Sequence, residues 1–215
     1  MIKAIMVGDS GMWGAINDTR HADHPQIVLN REQNVFDFAY NYSMPGASFA
    51  GILSADTAVR QANGLPNGAT LEQLLDSHPD CNGILFGMSA ANDAAGQSAQ
   101  LAARINTVAN ICISRNKLFA FVGGFDVNAS DSYENVPYGT DFYSSGYLQR
   151  LADIVGNMEV LRQVCLQEGY AFVDVKNNVK ITEWAGITCD LVHPSQDYSR
   201  KTYTYVAKAI SGQPT

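Results

Sequence analysis

Five short, largely apolar runs, separated by stretches with helical periodicity, constrain this chain more than any other feature. The runs occupy 2–7, 35–40, 83–87, 118–123 and 170–174. None alternates apolar with polar residues, so each reads as a strand covered on both faces, which is the habit of parallel sheets. Helices are expected at 50–62, 70–77, 97–115, 147–168 and 197–210. In the third, Leu101, Ile105, Val108 and Ile111 or Cys112 recur at helical spacing; in the fourth, Leu148, Leu151, Ile154, Met158, Leu161 and Cys165 do so. Gly169 closes that helix as a C-cap, and the preceding helix leaves through Asn116. The expected architecture is a three-layer α/β/α sandwich around a parallel sheet of about five strands. At 215 residues the chain suits one sizeable core and is short for two, so 1–215 reads as a single domain.

Composition excludes several classes of function. The formal charge is −7, and the 14 Lys and Arg residues are scattered, so no basic stripe is available for a nucleic-acid backbone. No apolar run reaches the roughly eighteen residues of a membrane span. The N-terminus enters the first strand without a signal-peptide pattern, so the chain is expected either to stay in the cell that makes it or to be a module of a longer protein. The four cysteines (Cys81, Cys112, Cys165, Cys189) have no Cys-x-x-Cys spacing and read as free buried thiols. His21 and His24 precede Pro25 without carboxylate partners, so they read as loop residues and no metal is expected; His78 before Pro79 reads as a turn. Two segments look irregular, 11–33 and 124–146. The second is unusually long for a structureless loop in a compact domain and is therefore a functional candidate.

The chemistry is carried by the two ends of the chain. Gly8-Asp9-Ser10 follows the first strand directly, and Asp190 and His193 stand three residues apart before the last helix. A serine hydroxyl becomes a nucleophile when a histidine takes its proton and a carboxylate holds that histidine's tautomer. The order, nucleophile first and Asp/His last, is unlike that of nucleophile-elbow enzymes, whose Gly-x-Ser-x-Gly motif is missing. These motifs resemble those of the SGNH (GDSL-type) hydrolase superfamily. Gly46, after the second strand, matches the family's second motif. Gly87-Met-Ser-Ala-Ala-Asn92-Asp93 resembles its Gly-x-Asn-Asp motif, with four residues in place of one before the asparagine; Ser89 is an alternative occupant of that place. The resemblance implies a flavodoxin-like sheet, Ser10, His193 and Asp190 as catalytic triad, and an oxyanion hole from the Ser10 and Gly46 N–H groups and the Asn92 amide. Asp93 reads as a cap or loop-stabilising acceptor.

No cofactor is implied. The 124–146 loop sets Phe125, Tyr133, Tyr138, Phe142 and Tyr143 among polar residues, which suits stacking and hydrogen bonding to a sugar. Trp13 walls an acyl pocket or packs in the core. The expected activity is hydrolysis of a small acyl ester, an O-acetyl group on a saccharide, for which the family has precedent, including modules of phage tail proteins. The alternatives are a lipase, thioesterase or lysophospholipase of the same fold, or a non-catalytic carbohydrate-binding or structural module.

Overall fold

The computed structural model describes residues 1–16, 19–20, 22–87, 89–124, 145–179 and 196–214. Its centre is a five-stranded parallel sheet of β1 (Ile2–Gly8), β4 (Phe36–Asn41), β5 (Gly83–Gly87), β6 (Leu118–Val122) and β7 (Phe172–Val173), in the order β4-β1-β5-β6-β7. This is the doubly wound order, in which the chain starts at the centre, steps to one edge and then crosses to the other. Central strands β1 and β5 carry the apolar runs read from sequence, and Ala4 to Val7 and Ile84 to Phe86 are buried. A short antiparallel pair, β2 (Ala15–Ile16) and β3 (Thr19–Arg20), lies apart from the sheet.

Helices form two packed groups, as right-handed crossovers on either side of a parallel sheet require. One contains α2 (Pro25–Glu32) against α9 (Gln196–Ser211). The other contains α3 (Phe49–Ile52), α4 (Thr57–Asn63), α5 (Leu71–Ser77), α6 (Ser98–Ser114) and α7 (Ser145–Glu168). Single turns α1 (Ser10–Trp13) and α8 (Val175–Asn178) follow β1 and β7. The buried apolar residues join in one cluster across both faces of the sheet. Cys81, Cys112 and Cys165 are buried and free, and burial pushes the Cys112 and Cys165 thiols up to about 12. Cys189 lies outside the described residues. Among the described residues no helix is long and apolar enough to cross a membrane.

Two expectations need correction. The segment 11–33, read as irregular, contains α2, which begins with Pro25 at its first turn and His24 as N-cap. Only Val28 and Leu29 are apolar and buried beyond Pro25, too few for a visible periodicity. The helix is held instead by its polar face: Asn30 accepts from the Phe38 N–H and donates to the Phe38 carbonyl, which Gln26 also caps. Edge strand β4 is thereby covered, at the point where its register against β1 slips between Ala4 and Ile5. The expected helix over 50–62 is in fact two. Asp56 N-caps α4 by accepting from Ala58, and Arg60 folds back onto the carbonyls of Ser54, Ala55 and Gly68. Ser54 and Asp56, either side of Ala55, accept the Asp56 and Ala58 N–H groups and so offer the backbone partners that compete with a continuing helix.

Candidate active site

Three chain segments meet beyond the C-terminal ends of β1 and β5. These strands end in a paired Gly8 and Gly87. A Cβ on Gly8 would lie 2.3 Å from the Gly87 carbonyl oxygen, and one on Gly87 would lie 2.1 Å from the Met12 side chain. The two glycines therefore let α1 settle directly onto the strand ends, with Met12 wholly buried over them. Ser10 is the first residue of that turn, half-buried at the exit of the central strand. Asp9 is its N-cap, accepting the Gly11 N–H on Oδ1 at 2.9 Å, as an aspartate at this position is suited to do.

The second segment leaves β4. Tyr42 N–H donates to the Met6 carbonyl and Met44 N–H to the Gly8 carbonyl, extending the pairing until Pro45 and Gly46 turn the chain. Gly46 has φ of +79°, a left-handed conformation that a side chain resists. A Cβ there would meet nothing within 4 Å, so the glycine answers to backbone conformation and its outer side borders open space.

The third segment is the 3₁₀ turn Ser89–Asn92 after β5. That turn absorbs the extra residues between Gly87 and Asn92, and it delivers the asparagine to the other two segments. Asn92 Nδ2 donates to the Ala47 carbonyl at 3.0 Å and to Asp9 Oδ2 at 3.4 Å. Asp93 pins the arrangement from behind. Its carboxylate accepts the Phe49 and Ala50 N–H groups at 2.9 and 3.1 Å, so it caps α3 from outside that helix, and it pairs with Arg104 at 3.0 Å. Its backbone carbonyl accepts the Asn157 amide from α7. The reading of Asp93 as a loop-stabilising acceptor matches these contacts.

Burial dominates the electrostatics. Asp9 is enclosed, and loss of hydration pushes its carboxyl up to about 7 against the opposing pull of the Gly11 and Met12 N–H groups. Tyr203 of α9 lies close by, donating to the Gly11 carbonyl at 3.1 Å, and burial together with the Asp9 charge holds its phenol well above the usual range. Desolvation raises Asp93 also, outweighing its N–H donors and Arg104.

Trp13 is half-buried, which removes it from the core. Arg20 Nε donates to its carbonyl at 2.8 Å, and the guanidinium stands 5.8 Å from the ring centroid. Asp190, His193, Phe125, Tyr133, Tyr138, Phe142 and Tyr143 lie outside the described residues. Sequence reasoning did not find the enclosure of Asp9, the Tyr203 support or the Asp93–Arg104–Asn157 brace. Each depends on partners that are distant in sequence and carry no local signal. An apolar recess of about 410 Å³, lined by Phe36, Leu118, Phe172 and Ile210 among others, offers none of this polar equipment.

The whole chain superposes on solved hydrolase structures. Est24, a carbohydrate acetylesterase from Sinorhizobium meliloti, aligns with a TM-score of 0.68 at 11% identity over 99% of each chain. The fold is that of the SGNH (GDSL-type) hydrolases. An aryl esterase from M. smegmatis aligns at 0.63 and 13% identity over 100% of each chain. A member of the lipolytic protein G-D-S-L family from Veillonella parvula aligns at 0.58 and 12% identity, over 97% of this chain and 96% of that one. No protein-family model and no curated protein matches the sequence.

Proposed function

We propose that this chain is a serine ester hydrolase that removes small acyl groups, most specifically O-acetyl groups from a carbohydrate. The observation that carries the reading is the Asn92 amide, which ties the segment of Ser10 to that of Gly46 through Asp9 and Ala47. A binding module of the same fold has no need of a side-chain amide poised between a serine turn and an open left-handed glycine.

In the proposed reaction, Ser10 Oγ attacks the ester carbonyl carbon as His193 takes the hydroxyl proton, with Asp190 steadying the imidazole. The resulting oxyanion is met by the N–H groups of Ser10 and Gly46 and by Asn92. The longer of the two Asn92 contacts, at 3.4 Å to Asp9, is the weaker and the one the oxyanion replaces. Collapse expels the alcohol, which receives the proton from His193. Water then attacks the acyl-enzyme, assisted by the same histidine, and releases the acid and Ser10. Support for the carbohydrate comes from the likeness to a carbohydrate acetylesterase fold and from half-buried Trp13, an aromatic face at the rim of the serine turn.

The test is intact mass after treatment with a fluorophosphonate, for the parent and for Ser10→Ala. One adduct on the parent and none on the variant is expected; adduct on neither overturns the activated serine. Sugar acetates should then be turned over faster than long-chain esters, and the reverse order would replace the acetylesterase reading by a lipase.

A further inference from the structure

We propose that the loop His78-Pro79-Asp80-Cys81, between α5 and β5, is a binding site for a thiophilic divalent cation of the Zn²⁺ kind, ligated by His78, Asp80 and Cys81. A ring nitrogen, a carboxylate oxygen and the thiol sulfur of these residues all lie within 4.8 Å of one another. With metal–sulfur and metal–nitrogen bonds of about 2.3 and 2.0–2.1 Å, neighbouring donors in a tetrahedral centre stand roughly 3.3–3.8 Å apart. The set therefore closes by about an ångström, and the exposed Asp80 side chain has the freedom to make that move.

The surroundings already resemble the outer layer of a metal site. The Tyr42 hydroxyl stands 2.5 Å from His78 Nε2, and the Tyr40 ring lies on the imidazole at a centroid distance of 4.4 Å. A ligand histidine is commonly oriented in this way through its second nitrogen. The loop backbone is gathered by Lys117 Nζ, which donates to the carbonyls of His78, Pro79 and Cys81, while the Cys81 N–H closes a turn onto the His78 carbonyl. A cation is also seated here already. The Lys3 ammonium pairs with Asp80 and lies 5.6 Å from the Tyr40 ring centroid, a tethered occupant that a divalent ion would displace. Ionised Cys81 and Asp80 together neutralise a divalent ion; the thiol proton leaves to solvent as the metal–sulfur bond forms. The donor set, with one sulfur and one imidazole, selects Zn²⁺ or Co²⁺ over Mg²⁺ or Ca²⁺. The loop precedes β5 whereas Asn92 follows it. The five-residue strand separates this site from Ser10 by about 16 Å, which makes the proposal independent of the hydrolase reading.

Titration of the full chain with Co²⁺, read by the thiolate-to-cobalt charge-transfer absorption, tests it. One equivalent should produce the band and Zn²⁺ should abolish it by displacement. Cys81→Ser should remove the band, whereas Cys112→Ser, Cys165→Ser and Cys189→Ser should keep it. Asp80→Asn, an exposed change that leaves the fold intact, should weaken binding by about tenfold or more, as should His78→Gln. Lys3→Met should tighten it. Fluorophosphonate labelling of Ser10 and circular dichroism report that each variant remains folded. Absence of a band in the parent, its persistence in Cys81→Ser, or indifference to Asp80→Asn each overturns the assignment.

Discussion

The two ends of the same strands handle charge in opposite ways. At the C-terminal edge, the Asp93 side chain is wholly inaccessible and Asp9 is enclosed, and both are surrounded by backbone N–H donors, an asparagine and an arginine. At the N-terminal edge, Lys3 and Asp80 pair in solvent, with 36% and 58% of their side chains exposed. Buried carboxylates hold neighbouring groups in one geometry because any other arrangement strands a polar atom out of water. An exposed pair imposes little, since water replaces either partner. The edge that carries Ser10 is accordingly the edge where polar groups are costly to hold and rigidly placed.

The buried edge responds most strongly to pH. Burial lifts the folded-state pKa of Asp9 to about 7, so between pH about 4 and 7 the folded chain keeps a proton that the unfolded chain has released. Stability therefore falls as pH rises through that window and stays lower above it, by up to about 4 kcal/mol for a shift of this size. Asp93 pushes in the same direction. Chemical denaturation between pH 5 and 8 should show the decline, and Asp9→Asn should flatten its larger part; an unchanged slope in the variant would place the linkage elsewhere.

Asn92→Ala is next, since it removes one donor from the proposed oxyanion hole. Its kcat should drop by about 10²–10³ with a smaller change in KM. A change confined to KM would make Asn92 a binding residue only. Asp93→Ala leaves two α3 N–H groups and Arg104 without their acceptor and should destabilise the fold by about 3 kcal/mol in urea titration. The smallest effect belongs to the other edge: Asp80→Asn in metal-free protein should leave the melting temperature within experimental scatter. A large drop there would erase the contrast between the edges.

Strand content was legible because the runs are short and largely apolar, and each of the five overlaps a sheet strand; burial on both faces holds for β5 and most of β1, whereas edge strand β4 leaves Asp37 and Tyr40 exposed. The long helices α6 and α7 were legible through period; α2 was not, because hydrogen bonds between Asn30 or Gln26 and the Phe38 backbone replace the apolar stripe. Ser10, Gly46 and Asn92 could be named from short motifs. The brace that holds them could not, since Asp93 meets Phe49 across 44 residues and Tyr203 meets Gly11 across 192.

The sequence by itself determined the alternation of strand and helix, the glycines at the strand ends and the candidates for the reactive groups. All of these are local matters of periodicity, backbone freedom and side-chain chemistry. Only the tertiary structure decided that Asn92 bridges Asp9 and Ala47, that Asp9 is shut away from water, and that Tyr42, Lys3 and Lys117 gather around the loop of His78, Asp80 and Cys81. The reason is physical: burial and hydrogen-bond partnership belong to pairs of segments, and no single segment encodes the other's position.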